Sequence, residues 1–128
     1  MLAVGVDILE VERMARGIER YGDRFCDRFF TAREQEQCGG RAASLAGRFA
    51  VKEAVSKALG TGIGDVAWKD IEVISDHRGR PELVLHGSAA RLATQNGLAE
   101  WAVSVSHTKT HAVGMAVAIA TSSTEERG

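Results

Sequence analysis

The stretch GRFAVKEAVSKALG at residues 47–60 decides how the rest of the chain is interpreted. Phe49, Glu53 and Lys57 are spaced i, i+4 and i+8, so a helix would place them in one stripe. Aliphatic residues occupy its other sides, which predicts a largely buried helix. A carboxylate and an ammonium group on such a helix are costly unless they are paired or used. An ordinary salt bridge between Glu53 and Lys57 on a half-exposed face is the alternative interpretation.

Length and composition limit the classes of protein that remain. The 128 residues predict one domain at residues 1–121, followed by a polar, disordered tail at 122–128. A net charge of −1 gives no reason to expect binding to nucleic acid or to membranes. The N-terminal segment is too short for a signal peptide and no apolar run could span a bilayer, so a cytoplasmic location is predicted. Cys26 and Cys38 are expected to be reduced thiols.

Hydrophobic periodicity predicts five strands and four helices. The last strand is continuously apolar, which is typical of a central strand. The order of elements predicts an α+β fold, with helices packed on one face of a mainly antiparallel sheet. The predicted strands are residues 2–7, 70–75, 82–86, 100–107 and 111–120, and the predicted helices are 10–21, 31–38, 44–60 and 88–96.

Local signals mark several element ends. Thr31 and Glu34 match a capping box. Ser44 is a candidate N-cap for the long helix, with Gly60 as its terminator. The glycine-rich segment at residues 61–66 lacks the spacing of a P-loop, so that type of nucleotide site is not supported.

Three separated pieces of the chain could meet in one site. They are Asp7 at the end of the first strand, Glu53 with Lys57 on the long helix, and Ser106-His107 at the end of another strand. Two carboxylates from different elements commonly hold Mg²⁺, which takes its other ligands from water and substrate phosphate. A nearby lysine neutralises phosphate or, with a lowered pKa, acts as a base. The pattern indicates a phosphate-ester or pyrophosphate site, although Asp7 alone would equally suit a turn.

Two other site chemistries are disfavoured. The four histidines have no paired spacing for a zinc site. A Ser-His-Asp hydrolase lacks its Gly-x-Ser-x-Gly elbow. Gly5, in the first strand, weakens that strand but lets another backbone come close.

The helix at residues 10–21 begins an arginine stripe, in which Arg13, Arg16, Arg20 and Arg24 are spaced three, four and four. The guanidinium group suits carboxylates and phosphates, so the stripe is a candidate docking surface for an acidic partner. A solvated face paired with neighbouring acids is the alternative.

Nearly the whole chain resembles the holo-acyl-carrier-protein synthases, the short, single-domain type of 4′-phosphopantetheinyl transferase. Three motifs carry the resemblance in order: Gly5-Val-Asp-Ile8, Arg48-Phe-Ala-Val-Lys-Glu-Ala54 followed by Lys57, and Ser104-Val-Ser-His-Thr108. Each motif is weak alone, but their order and the chain length together are specific.

The resemblance implies transfer of 4′-phosphopantetheine from coenzyme A to a serine of apo acyl-carrier protein, with release of adenosine 3′,5′-bisphosphate. Asp7 and Glu53 would bind Mg²⁺. Lys57 would contact phosphate and help deprotonate the serine, with a water on the metal as the rival base. The remaining implied contacts are Arg48, Ser106, His107 and Thr108 to the coenzyme A phosphates, Gly79, Arg80 and Pro81 to its nucleotide end, and Arg13, Arg16 and Arg20 to the acidic carrier.

The resemblance also implies a homotrimer with active sites between subunits. The larger, two-lobed transferases have an acid two positions after the first aspartate, where this chain has Leu9. This departure indicates the short type and argues against a third carboxylate on the metal. A non-catalytic coenzyme A-binding module is the rival hypothesis, and a small interaction protein is the third. The accepted carriers, the general base, the preference between Mg²⁺ and Mn²⁺ and the subunit supplying each half of the site stay open at this stage.

Overall fold

The computed structural model describes residues 1–60 and 66–120, and in those ranges it contains five strands, five α-helices and one 3₁₀ turn. The strands are β1 (Leu2–Glu10), β2 (Ile71–Ser75), β3 (Pro81–Leu85), β4 (Leu98–His107) and β5 (His111–Ala120). The helices are α1 (Val11–Tyr21), α2 (Asp23–Phe29), α3 (Ala32–Cys38), α4 (Ala42–Ala58) and α5 (Gly87–Gln95), and the 3₁₀ turn is Trp68–Asp70. The predicted α+β class is confirmed. The predicted glycine-rich loop, apart from Val66, and the predicted tail lie outside the described residues.

The strands form two antiparallel groups. One is a three-stranded sheet in the order β1-β5-β4, and the other is the β2–β3 hairpin. The central position predicted for β5 is confirmed. The register places Asp7 of β1 opposite Gly114 of β5, and Gly114 opposite Val105 of β4. One face of this sheet is covered by α4.

Two glycines let α4 lie unusually close to the sheet. A Cβ atom added at Gly5 would lie 1.9 Å from the carbonyl oxygen of Ala54, and one at Gly114 would lie 2.4 Å from the carbonyl carbon of Ala50. The close approach predicted at Gly5 is therefore confirmed. Since α4 carries Glu53 and β1 carries Asp7, this contact determines how near the two acids can come.

The apolar side chains form two cores on either side of α4. One core joins α4 to the sheet, to β2 and to α5, and includes Val51, Val55 and Ile71. The other joins α4 to the first three helices and includes Phe30 and Leu45. Both cysteines are free, one of them fully buried. Among the described helices, none combines the length and the apolar composition that crossing a bilayer requires.

The element ends differ from the predictions where tertiary pairing decides them. β1 runs on to Glu10 because it pairs with β5 along its whole length, so Asp7 lies inside a strand and does not end one. Ser44 is not the N-cap of α4, because the helix already begins at Ala42 and its N-cap position is Arg41. The helix α2 was not predicted, because its seven residues are too few for a helical periodicity to be recognised.

Candidate active site

Asp7 and Lys57 meet where β1 passes under α4. The ammonium nitrogen Nζ of Lys57 donates hydrogen bonds to Asp7 Oδ1 and to the carbonyl oxygen of Val6, both at 3.0 Å. The side chain of Lys57 is half exposed and that of Asp7 is 20% exposed. In the described part of the chain, Lys57 forms its ion pair with Asp7 and not with Glu53 on its own helix. The alternative of a simple i, i+4 salt bridge is therefore wrong.

Glu53 lies one helical turn before Lys57, close enough to Asp7 to sense its charge. Burial raises the pKa of Glu53, the neighbouring carboxylate of Asp7 raises it further, and the ammonium group of Lys57 lowers it in part. Lys57 is thus paired with Asp7, while Glu53 lies within range of the charges of both. The predicted convergence of Asp7, Glu53 and Lys57 is present in the structure.

The donor set at this position suits a hard cation with few protein ligands. Within residues 1–60 and 66–120, no group of three or more His, Cys, Asp or Glu side chains could hold a metal ion. An ion bound by the pair Asp7 and Glu53 would complete its coordination with oxygens of water or substrate. Mg²⁺ is commonly bound in this way, by one or two carboxylates and substrate phosphates, because it loses its bound water reluctantly.

A cavity of about 430 Å³ adjoins the acids and has an aromatic wall. Phe25, Phe29 and Phe49 line it beside Asp7 and Glu53. The rings of Phe29 and Phe49 pack edge to face with centroids 5.6 Å apart. The cavity therefore has a charged end, suited to phosphate with a cation, and an apolar side.

One arginine of α1 borders the same cavity, and two more lie further along the helix. Arg13 lines it, and Arg16 and Arg20 follow on the exposed surface of the helix. Arg16 approaches Glu12 at 4.0 Å, with both side chains mostly exposed, and such a pair contributes little to stability. Arg20 lies over the ring of Tyr21 at 5.9 Å. The predicted docking surface is thus accessible and adjacent to the acids.

The third predicted piece lies on a different part of the sheet. Ser106 and His107 end β4 and Thr108 follows it, beside a shallow cavity of about 430 Å³ that Ile8 also lines. The hydroxyl of Thr108 accepts hydrogen bonds from two backbone N–H groups of the turn that follows. Val105 points at α4, since its Cγ2 would meet a Cβ added at Gly47. By strand alternation, Ser106 faces the opposite side of the sheet.

Asp7 and Ser106 of one chain therefore do not share a pocket. Asp7 faces α4, whereas Ser106 faces away from it, and β5 lies between their strands. Two strand spacings amount to roughly 10 Å before the opposite orientation is considered. The convergence predicted for the three pieces is present for Asp7 with α4 and is not present for Ser106 within one chain.

The predicted nucleotide contacts lie at the β2–β3 hairpin. Asp76 Oδ1 accepts hydrogen bonds from the backbone N–H groups of Arg78, at 2.8 Å, and Arg80, at 2.9 Å, which orders the turn holding Gly79. Arg80 and Pro81 line a cavity of about 290 Å³.

Arg48 lies with this hairpin and away from Asp7. Its guanidinium group donates to Gln37 Oε1 at 3.0 Å, to Ser75 Oγ at 3.0 Å and to the carbonyl oxygen of Val73. Arg48 precedes Glu53 by five residues, so the two side chains point about 140° apart around the helix. A phosphate held by Arg48 would therefore belong to the hairpin end of the ligand.

One functional feature was missed by the sequence reasoning: a buried ion pair between Lys52 and Glu34. Both side chains are 0% exposed, and Lys52 Nζ donates to Glu34 Oε1 at 2.9 Å. Burial lowers the pKa of Lys52, while the charge and hydrogen bond of Glu34 raise it in part. A usable signal existed, because Lys52 stands seven residues from both Leu45 and Leu59 and so shares their buried face.

Comparisons with known proteins show the family to which the chain belongs. Residues 3–116 match the family model of the 4′-phosphopantetheinyl transferase superfamily. A holo-[acyl-carrier-protein] synthase of Alkaliphilus metalliredigens is 48% identical over 118 residues, covering 90% of this chain and 96% of the relative. One of Moorella thermoacetica is 47% identical over 131 residues, covering 100% of both chains.

Solved structures give the same assignment. The Helicobacter pylori holo-[acyl-carrier-protein] synthase in complex with coenzyme A has a TM-score of 0.83 at 29% identity, over 91% of this chain and 99% of that one. The Bacillus anthracis synthase in complex with CoA (3′,5′-ADP) has a TM-score of 0.76 at 35% identity, over 93% and 96%. The chain belongs to the 4′-phosphopantetheinyl transferase superfamily, among the holo-[acyl-carrier-protein] synthases.

Proposed function

We propose that this chain transfers 4′-phosphopantetheine from coenzyme A to a serine hydroxyl of an apo acyl-carrier protein, and releases adenosine 3′,5′-bisphosphate. The observation that carries the proposal is the placement of Asp7 and Glu53 at one end of an aromatic cavity, with Lys57 bonded to Asp7, in a chain of this family. Displacement at phosphorus depends mainly on positioning and on neutralising charge, so no nucleophilic side chain is needed.

The residues present fit Mg²⁺. The raised pKa of Glu53 reflects burial together with the charge of Asp7, and a divalent cation between the two carboxylates would remove their repulsion. Asp7 and Glu53 would hold the ion, which would supply neutralisation of the diphosphate and the leaving group. Lys57 is oriented by Asp7 and Val6 and would present its ammonium group to a phosphate oxygen.

Coenzyme A would be bound by two chains. Ser106, His107 and Thr108 would hold its phosphates, and the Gly79-Arg80-Pro81 turn with Arg48 its nucleotide end. Since Asp7 and Ser106 face opposite sides of one sheet, a complete site needs the second half from a neighbouring subunit.

The sheet supports such an assembly through an open sheet face, defined here as the side of the sheet turned away from α4. It presents Leu2, Val4 and Ile8, exposed by 67, 62 and 62%, together with Val6, Met115 and Ile119. Exposed apolar surface of this extent marks protein contacts. We assign it to the homotrimer implied by the sequence, because Ser106 lies on the same face and would be delivered to the next subunit's acids.

The carrier protein would dock on Arg13, Arg16 and Arg20. Arg13 lines the cavity beside Asp7, and Arg16 and Arg20 are exposed further along the same helix, so an acidic carrier bound there would present its serine to the phosphate. The proposal includes a cytoplasmic location, which suits the free cysteines, and a role in fatty-acid biosynthesis.

The test is the mass of an apo acyl-carrier protein after incubation with coenzyme A and Mg²⁺. We expect the gain of one phosphopantetheine group with the wild-type chain, and a loss of rate of at least roughly hundredfold in Asp7→Ala and Glu53→Ala. Glu36→Ala, an exposed acid on α3, is the matched control and should retain the wild-type rate. Coenzyme A binding without transfer would instead identify a non-catalytic module, and full activity in both alanine variants would refute the proposed metal ligands.

A further inference from the structure

Lys52, in the middle of α4, carries an ammonium group and has no exposed surface. Its Nζ atom donates to Glu34 Oε1 at 2.9 Å and to the carbonyl oxygens of Trp68 and Ile71 at 3.0 and 2.5 Å. These three bonds use all three of its hydrogens. The side chain therefore makes its bonds inside the protein and has no hydrogen left for a ligand.

Glu34 adds two backbone hydrogen bonds to the same network. Its Oε1 accepts the backbone N–H of Thr31 at 2.8 Å, and its Oε2 accepts that of Val73 at 2.8 Å. Through this pair α3, α4 and β2 are joined at one point. A buried ion pair adds little net stability compared with apolar side chains of the same volume. It does fix distances and directions between elements, which an apolar contact leaves free.

The segment that Lys52 holds supports the wall of the candidate active site. The ring of Trp68 stacks on Phe49 with centroids 4.6 Å apart and an angle of 26°, and meets Phe29 edge to face at 5.3 Å. Phe29 and Phe49 line the cavity beside Glu53. Lys52 also directly precedes Glu53 in α4, so its bonds restrain the rotation of the helix that aims that carboxylate.

We infer that Lys52 is a positioning residue for the transferase site. Through its bonds to Glu34 and to the backbone of Trp68, it holds Glu53 and the aromatic wall in their working geometry without touching substrate. The inference rests on the proposed function of the cavity at Asp7 and Glu53. It assigns the buried ion pair to catalytic geometry and not to stability.

The experiment compares Lys52→Met with the double variant Lys52→Met/Glu34→Gln. The single variant leaves a buried carboxylate without its cation, so both its Tm and its kcat should fall. The double variant removes both charges, so we expect its Tm to return close to that of the wild type. Its kcat should stay lowered by roughly ten- to hundredfold, because the bonds that hold Trp68 are absent. Val55→Ala, a buried apolar truncation in the same helix that removes none of the Lys52 hydrogen bonds, is the control, with a lower Tm and an unchanged kcat well below that Tm.

A spectroscopic measurement makes the outcome independent of the reaction. In a Trp101→Phe background, Trp68 is the sole tryptophan, and its near-ultraviolet circular dichroism reports the stacking on Phe49. We expect this signal to change in the double variant but not in Val55→Ala. Recovery of kcat together with Tm in the double variant, or an unchanged Trp68 signal, would overturn the inference. Activity retained in Asp7→Ala and Glu53→Ala would instead refute the proposed metal site, while the Trp68 signal would still test the link to Lys52.

Discussion

Glu53 is the single residue whose environment says most about the site. Burial raises its pKa, Asp7 raises it further, and Lys57 compensates only in part. An ion pair that served stability alone would be arranged to favour both charges. Here two carboxylates face one ammonium group, so the free protein tolerates a repulsion that a bound cation would relieve.

We expect Glu53→Gln to stabilise the metal-free protein at pH 8 and to leave its stability unchanged near pH 4. Since the folded pKa of Glu53 is raised, folding takes up a proton, and the free energy of unfolding falls as pH rises from about 4 through the folded pKa. Removing the charge removes that loss. The carboxylate is partly exposed, so screening limits the gain to a rise in Tm on the order of 2 °C. Thermal unfolding in EDTA at both pH values measures it.

The exposed Glu36 provides the control, because Glu36→Gln should show no such dependence on pH. With saturating Mg²⁺ the order should reverse, since the wild-type chain gains the free energy of binding the ion and the variant does not. If the Tm of Glu53→Gln in EDTA at pH 8 were at or below that of the wild type, the repulsion between the two acids would be disproved.

Among the elements, those set by local chemistry were predictable and those set by distant partners were not. The capping box of Thr31 and Glu34 was predicted correctly, because its two partners stand three residues apart. The position of Asp7 within β1 was not, because the length of that strand depends on β5, a hundred residues later. The partner of Lys52 was missed for the same reason, since the network that explains it joins three elements.

The approach of α4 to β1 and β5 is the contact on which the site depends. We expect Gly5→Ala to destabilise the protein by at least about 3 kcal/mol, because its Cβ would lie 1.9 Å from a backbone oxygen that cannot turn aside. Any protein that folds should also lose transferase activity, since α4 must move away and carry Glu53 from Asp7. Chemical denaturation and the mass assay of the carrier measure the two effects.

Gly47→Ala is the matched comparison within α4. There the added Cβ would meet only the terminal Cγ2 of Val105, at 2.8 Å, which can shift. Helix propensity favours alanine by about 1 kcal/mol, so the net change should stay within about 1 kcal/mol of zero. Equal losses in Gly5→Ala and Gly47→Ala would show that the separation of α4 and β1 is not the sensitive quantity.

In the whole molecule, the two faces of the three-stranded sheet carry different groups of candidate site residues. The side toward α4 carries Asp7, with Glu53 and Lys57 above it, and the open sheet face carries Ser106 among exposed aliphatic side chains. The sequence motifs identify all of these residues. They do not indicate which face of the sheet each residue occupies, or whether two of them meet within one chain or between two chains. Only the register of β1, β5 and β4 separates them, and that separation favours a site completed by a second subunit.

Complementation between inactive subunits tests this division. We expect Asp7→Ala and His107→Ala to be inactive separately and to regain part of the wild-type rate when co-expressed, because in the proposed homotrimer some interfaces would then pair an intact acid with an intact β4 end. A mixture of Asp7→Ala with Glu53→Ala should stay inactive, since both acids belong to the same half of the site.

Val4→Glu, on the open sheet face, should convert the assembly to monomers in light scattering and abolish transfer, because burying that charge between subunits is costly. A fully active monomer would place the whole site within one chain, and recovery in the two-acid mixture would separate Asp7 from Glu53.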